Sequence, residues 1–141
     1  MIVPLRDSLA KPLIPVRLPS LAWGFIYTDD DHGAIISRLN GYVDGLEAVR
    51  QTVHAIVHTE RYSVPHMHPD DGIEMEQFIG RSFNYFRAKI KNVLNDALLR
   101  DDRITGLEIL RIFQEAPGSV QCEVKIYSIY GAVDYGFNTR L

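Results

Sequence analysis

Residues 82–127, SFNYFRAKIKNVLNDALLRDDRITGLEILRIFQEAPGSVQCEVKIY, decide the fold, because the spacing of their apolar residues changes partway along. Over residues 82–100, Phe86, Ile90, Val93, Leu94, Ala97 and Leu98 recur three or four apart. Arg87, Lys89, Lys91, Asn95 and Asp96 occupy other faces. That is the period of a helix burying one stripe, and it predicts the longest helix of the chain. Beyond it the period drops to two: Val120, Cys122, Val124 and Ile126 alternate with Gln121, Glu123, Lys125 and Tyr127. Alternation puts one set of side chains on one face of a strand. Pro117-Gly118 supplies the turn from an earlier run at 107–113, and Gly131 separates a last short strand at 133–137. The C-terminal third is therefore read as antiparallel sheet.

Working back from this stretch, Asp71 is followed three residues later by Glu74. Ile73, Met75, Phe78 and Ile79 then precede Gly80, which predicts a short helix with a glycine cap. The same start pattern occurs at Asp44 and Glu47, before Leu46, Val49, Val53, Ile56 and Val57 at helical spacing, and that helix is expected to end near His58. Earlier still, Trp23, Phe25 and Tyr27 alternate with smaller residues, 34–39 form a second β-prone run, and 29–33 form a turn cluster between them. The expected fold class is α+β: a single domain with an N-terminal β-hairpin, central helices and a C-terminal antiparallel sheet with a free edge strand.

The 141 residues are 46% hydrophobic and 23% charged, enough for one core without staples. A net charge of -3 gives no electrostatic basis for holding nucleic acid. Cys122 is the only cysteine, so neither an internal disulfide nor a Cys-x-x-Cys site is available. The start lacks the basic head and apolar core of a signal peptide, and no apolar run approaches the ~20 residues of a membrane span. Folding in a cytosol, with no membrane partner, is the expectation. Residues 1–20 carry Pro4, Pro12, Pro15 and Pro19 among Leu, Ile and Val, and are read as an extended arm preceding the domain at 21–141. Such apolar content suits an arm lying on its own domain or on a neighbouring subunit.

Candidate chemistry is sparse. His54 and His58 are four apart, and His66-x-His68 follows, a spacing that suggests a histidine metal site. The spacing lacks the acidic residue of the metalloprotease pattern, and histidines near a helix end also serve as surface or capping groups, so no metal and no cofactor is assigned. Glu60, Asp70, Asp71, Glu74 and Glu76 are the carboxylates closest together in sequence; a hydrolase would need two of them held about 5–9.5 Å apart with one in an apolar pocket. Helix starts and ion pairing account for these residues more simply, so no catalytic residue is assigned. Two ionic clusters remain, Glu60-Arg61 and Asp101-Asp102-Arg103, each after a predicted helix. Spacing alone favours exposed charge worth about 0–1 kcal/mol per pair; an interfacial network built on arginine's planar fork is the alternative.

DGLEAVRQTVHAIVHTERY (44–62), DGIEMEQFIG (71–80) and ALLRDDRIT (97–105), taken in order, resemble the sheath-initiator family of contractile tail baseplates, in its branch from phages and phage-tail-like bacteriocins of Gram-positive bacteria. The resemblance runs from about Trp23 to Phe137. It implies a non-enzymatic α+β subunit, six copies per baseplate around the inner tube and hub, contacting wedge proteins and the tail sheath. Such a protein is assembled in the host cytoplasm and ends in the tail baseplate. The family's Glu-Pro-Arg motif falls on Asp101, Asp102 and Arg103, with Asp102 departing from the proline; Glu60-Arg61 is similar to the motif after the family's first helix. Together these imply a wedge interface, while Val133, Tyr135 and Phe137 mark the expected sheath-binding edge. A tail-borne peptidoglycan hydrolase is the rival reading.

Overall fold

A computed structural model of the chain describes residues 22–30, 33–66, 68 and 70–141, and the arm at 1–20 lies outside the described residues. Strands β1 (Ala22–Asp30) and β2 (Gly33–Val43) form the expected N-terminal hairpin. Their pairing shifts where Gly24 faces Asn40 and Gly41; Gly41, with φ +69°, supplies the left-handed residue of a bulge. Helix α1 (Gly45–Val57) starts at Asp44, whose carboxylate accepts from the Gly45 amide at 2.7 Å, and ends at His58. Helix α2 (Phe83–Leu98) starts at Ser82, whose hydroxyl accepts from the Tyr85 amide. Phe86, Ile90, Leu94, Ala97 and Leu98 are buried, as the stripe requires.

The predicted short helix over 71–80 is not formed. Only Glu76–Phe78 makes a single 3-10 turn. The Ile73 amide donates to Thr59 and its carbonyl accepts from Arg61, so this segment is held as a short parallel bridge to Glu60. Gly72, at φ +95°, permits the approach: a Cβ there would stand 2.5 Å from the Thr59 carbonyl oxygen. The capping role expected of Asp71 falls instead to Glu60, whose carboxylate accepts from the Met75 and Glu76 amides. Ile73 and Phe78 are buried nonetheless, so their apolar character served the core without specifying a helix.

Strands β3 (Ile104–Ala116), β4 (Ser119–Ser128) and β5 (Gly131–Arg140) form an antiparallel sheet in the order β3-β4-β5. The last strand is longer than the 133–137 expected from sequence. Val120, Cys122, Val124 and Ile126 face a core shared with Val49 and Val53 of α1 and Phe86, Ile90 and Leu94 of α2. Each such buried side chain contributes about 1.5–3 kcal/mol relative to its exposed state. Burial also pushes the Cys122 thiol up to about 12, leaving it a small apolar filler at neutral pH.

Candidate functional site

The two ionic clusters are each wired internally. Arg61, with a side chain only 7% exposed, reaches Glu74 at 3.0 Å and Asp96 at 3.1 Å, tying the 72–74 segment to α2. Its Nε has no partner among the described residues. Neighbouring Glu60 is pushed above the ordinary carboxylate range by burial, against the lowering effect of the amides it caps. A carboxyl raised in this way invites a general-acid reading, but the amide bonds place it as a backbone cap.

Asp101 and Arg103 brace one turn. The Arg103 amide donates to Asp101 Oδ1 at 3.0 Å, its Nε donates to the same oxygen at 2.9 Å, and its Nη2 donates to Oδ2 at 2.6 Å. The fork holds the Asp101 carboxyl below its ordinary range. A proline would have stiffened this turn through its ring; here the doubly bonded carboxylate does so. Asp102, between the pair, is exposed. Arg103 also donates to the Thr52 hydroxyl at 3.0 Å, which joins the turn to α1.

Helix α1 connects the remaining elements, a role with no signature in local sequence. The Gln51 carboxamide accepts from the Phe25 amide at 3.0 Å and donates to the Trp23 carbonyl at 2.6 Å. It thereby occupies β1 as one residue of a parallel neighbour would. Farther along, His54 Nδ1 lies 3.0 Å from the Tyr135 hydroxyl of β5, and the His58 ring lies tilted against His54 with centroids 4.1 Å apart. Among the described residues, no group of three His, Cys, Asp or Glu side chains could hold a metal ion. His68 instead lies 3.6 Å from Asp70, which Arg100 bridges at 3.0 Å and holds below its ordinary range. A groove of about 590 Å³ runs beside α1, lined by Phe25, Ala55, Ile56, His58, Ala97 and Arg100 among others.

The two edges of the C-terminal sheet differ. Thirteen residues of β3 face ten of β4, and the register slips at Thr105, Leu110 and Glu115, each an extra residue on β3. Strand β5 runs against β4 through ten consecutive pairs without a slip, from Ser119↔Arg140 to Ser128↔Gly131. Among the described residues β5 pairs only with β4, leaving its outer backbone edge open. Tyr135 and Phe137 turn inward, 9% and 6% exposed, and Val133 packs partly buried against the same core. A partner at this edge would meet the backbone and the exposed Asp134, Gly136 and Asn138, not the aromatic rings.

The family model described as the contractile injection system sheath initiator matches residues 26–131, most of the chain. No curated protein matches.

Proposed function

We propose, from the premise that this chain belongs to the contractile injection system sheath initiator family, that β5 templates the first ring of the tail sheath by strand addition. Family membership makes the protein a structural component of a contractile tail baseplate that interacts with sheath and baseplate proteins. The observation that carries the finer reading is the contrast between an unbroken edge at β5 and a thrice-bulged edge at β3. Bulges interrupt the row of outward donors and acceptors that an added strand needs, so β5 offers the better template. The exposed Asp102, fixed between the braced Asp101 and Arg103, presents a carboxylate to a basic side chain of a wedge protein. Arg61 and Glu60 would serve the wedge contact from within by fixing the 72–76 segment. Six copies around the tube and hub, assembled in the host cytoplasm, complete this reading, with no catalytic step.

Gly136 offers the direct test. It is exposed, and a Cβ added there meets nothing closer than 3.9 Å. Cys122 is buried and its thiol is pushed up to about 12, so a Gly136→Cys protein carries a single readily reactive thiol. A short bifunctional reagent on that thiol should join the protein to sheath subunits in assembled particles, whereas Leu110→Cys on β3 should not. Sheathed particles in which Gly136→Cys gives no sheath adduct would remove the template role. Purified protein should also leave peptidoglycan turbidity unchanged; clearing that is lost in Glu60→Gln would restore the hydrolase.

A further inference from the structure

Tyr62 stands in a backbone conformation that a tyrosine seldom takes. Among the described residues it is the one non-glycine residue with a positive φ, at 67°. The Ser63 amide donates to the Glu60 carbonyl at 3.2 Å, so Tyr62 holds the third position of a four-residue turn. A positive φ there belongs to a type II turn, which favours glycine or asparagine because a Cβ crowds the backbone. The strain brings the fold no packing. The Tyr62 side chain is 70% exposed, and among the described residues its ring meets no other ring and its hydroxyl makes no hydrogen bond. The backbone on both sides is pinned, which denies the turn any relief. The Arg61 amide donates to the Ile73 carbonyl at 3.0 Å, and its guanidinium is tied to Glu74 and Asp96. The Ser63 hydroxyl bonds the Glu60 carbonyl as well, while the Glu60 carboxylate is committed to the Met75 and Glu76 amides. The network around Glu60 and Arg61 therefore projects an aromatic side chain into solvent from a turn that cannot relax. Residues kept in sparsely populated conformations at a cost to stability cluster at sites of recognition.

We infer that Tyr62 is the anchor by which this protein enters the baseplate: its ring fills an apolar recess of a wedge subunit, and an acceptor at the base of that recess takes its hydroxyl proton in a hydrogen bond. The inference rests on the wedge contact proposed above for Asp102. Arg61 binds Asp96 in the last turn of α2, and the Asp101 amide donates back to the Leu98 carbonyl. The turn carrying Tyr62 and the turn carrying Asp102 thus lie at the same end of that helix. Tyrosine suits an anchor because its body is large and apolar, and its polar tip needs one partner once buried. A pinned turn also presents the ring already placed, so little freedom is lost on docking.

Two substitutions separate the ring from the strain. Tyr62→Gly removes both, whereas Tyr62→Ala removes the ring and keeps the crowded Cβ, so the urea midpoint of Tyr62→Gly should lie above that of Tyr62→Ala. Each variant is then co-expressed with the unaltered protein and the two forms are counted in purified particles by mass spectrometry. Both variants should be outcompeted to the same extent, by about tenfold or more, as the loss of an interface anchor requires. Tyr62→Phe, which keeps the ring, should be displaced less. Incorporation of Tyr62→Gly or Tyr62→Ala at parity, or a midpoint for Tyr62→Gly no higher than for Tyr62→Ala, would overturn the proposal. Photoreactive p-azidophenylalanine, close to tyrosine in size, should cross-link from position 62 to a wedge subunit in assembled particles, and the same residue in place of Asp102 reports the wedge contact itself. Wedge adducts from position 102 with none from position 62 would overturn the anchor and leave the wedge contact standing. Wedge adducts from neither position would remove both, and adducts from position 62 confined to sheath or to a second copy would also overturn the anchor.

Discussion

Strands β3 and β5 flank the same central strand, bury one face in the same core, β3 against α2 and β5 against α1, and finish with different kinds of edge. Strand β3 admits Thr105, Leu110 and Glu115 as extra residues at five-residue intervals, so its outward backbone groups fall out of step with any straight partner. Strand β5 keeps ten pairs in step and ends the described chain next to Leu141. A sheet thus gains one irregular and one unbroken edge from pairing geometry alone, with no proline on either strand. Apolar side chains do not draw the distinction: Leu110 of β3 is 46% exposed, whereas Tyr135 and Phe137 of β5 are inside.

The sharpest way to break this comparison is a matched pair of prolines. Asp134→Pro removes a donor from β5 at an exposed position and should give folded protein and baseplates whose tubes lack sheath in electron micrographs. Leu110→Pro, at a bulge of β3, should leave sheath length unchanged. Equal loss of sheath in both would mean that the edges are not functionally distinct.

A smaller effect concerns how the two strands are anchored. Strand β3 is entered through the Asp101–Arg103 turn, and Arg103→Ala would strand a partly buried carboxylate and leave Thr52 without its donor. The expected cost is about 2–3 kcal/mol in urea unfolding, with Lys rescuing poorly because it lacks the fork. Wedge assembly should fall further than this loss of stability explains. Normal incorporation of Arg103→Ala into particles would detach the motif from assembly.

The same anchor sets a pH dependence. Hydrogen bonds from Arg103 lower the Asp101 pKa in the folded protein relative to the unfolded chain. Its contribution is therefore fully present above the ordinary aspartate range and is lost as pH falls through the lowered folded value. Urea midpoints followed from neutral to acid pH should fall less steeply for Asp101→Asn than for the unaltered protein. Parallel acid limbs would show that the turn does not carry this linkage.

Strand β5 has the weakest single anchor, the Tyr135 hydroxyl beside His54. Tyr135→Phe keeps the ring in the core and removes only the polar contact, so a loss of about 1 kcal/mol is expected. Sheath should still assemble, because the backbone edge is untouched. Loss of sheath in Tyr135→Phe would mean that α1 controls the edge through this hydroxyl.

Much of the fold was legible. The alternation of Val120 to Ile126 and the stripe of Phe86 to Leu98 each report a local period, and Asp44 announces a helix start through a side chain that reaches the first helical amide. The failure at 71–80 is instructive: Asp71 and Glu74 have the spacing of a helix start, yet Thr59 and Arg61 capture the Ile73 backbone first, and Glu60 caps the turn from fifteen residues away. Both ionic clusters were visible as residue types, but their partners were not. Gln51, which occupies the exposed backbone of β1, carried no signal, since one glutamine on a polar helix face is indistinguishable from solvation.

The amino-acid sequence by itself determined the kind and order of the elements outside 71–80, and most of the core, because helical and strand periods are set by backbone geometry within a few residues. Only the tertiary structure decided which edge of the sheet is unbroken, where the bulges fall, and that α1 bonds to Trp23, Phe25, Arg103 and Tyr135. The physical reason is that register and long-range hydrogen bonds depend on where two distant segments meet. His54 and Tyr135 are 81 positions apart, beyond the reach of any local period.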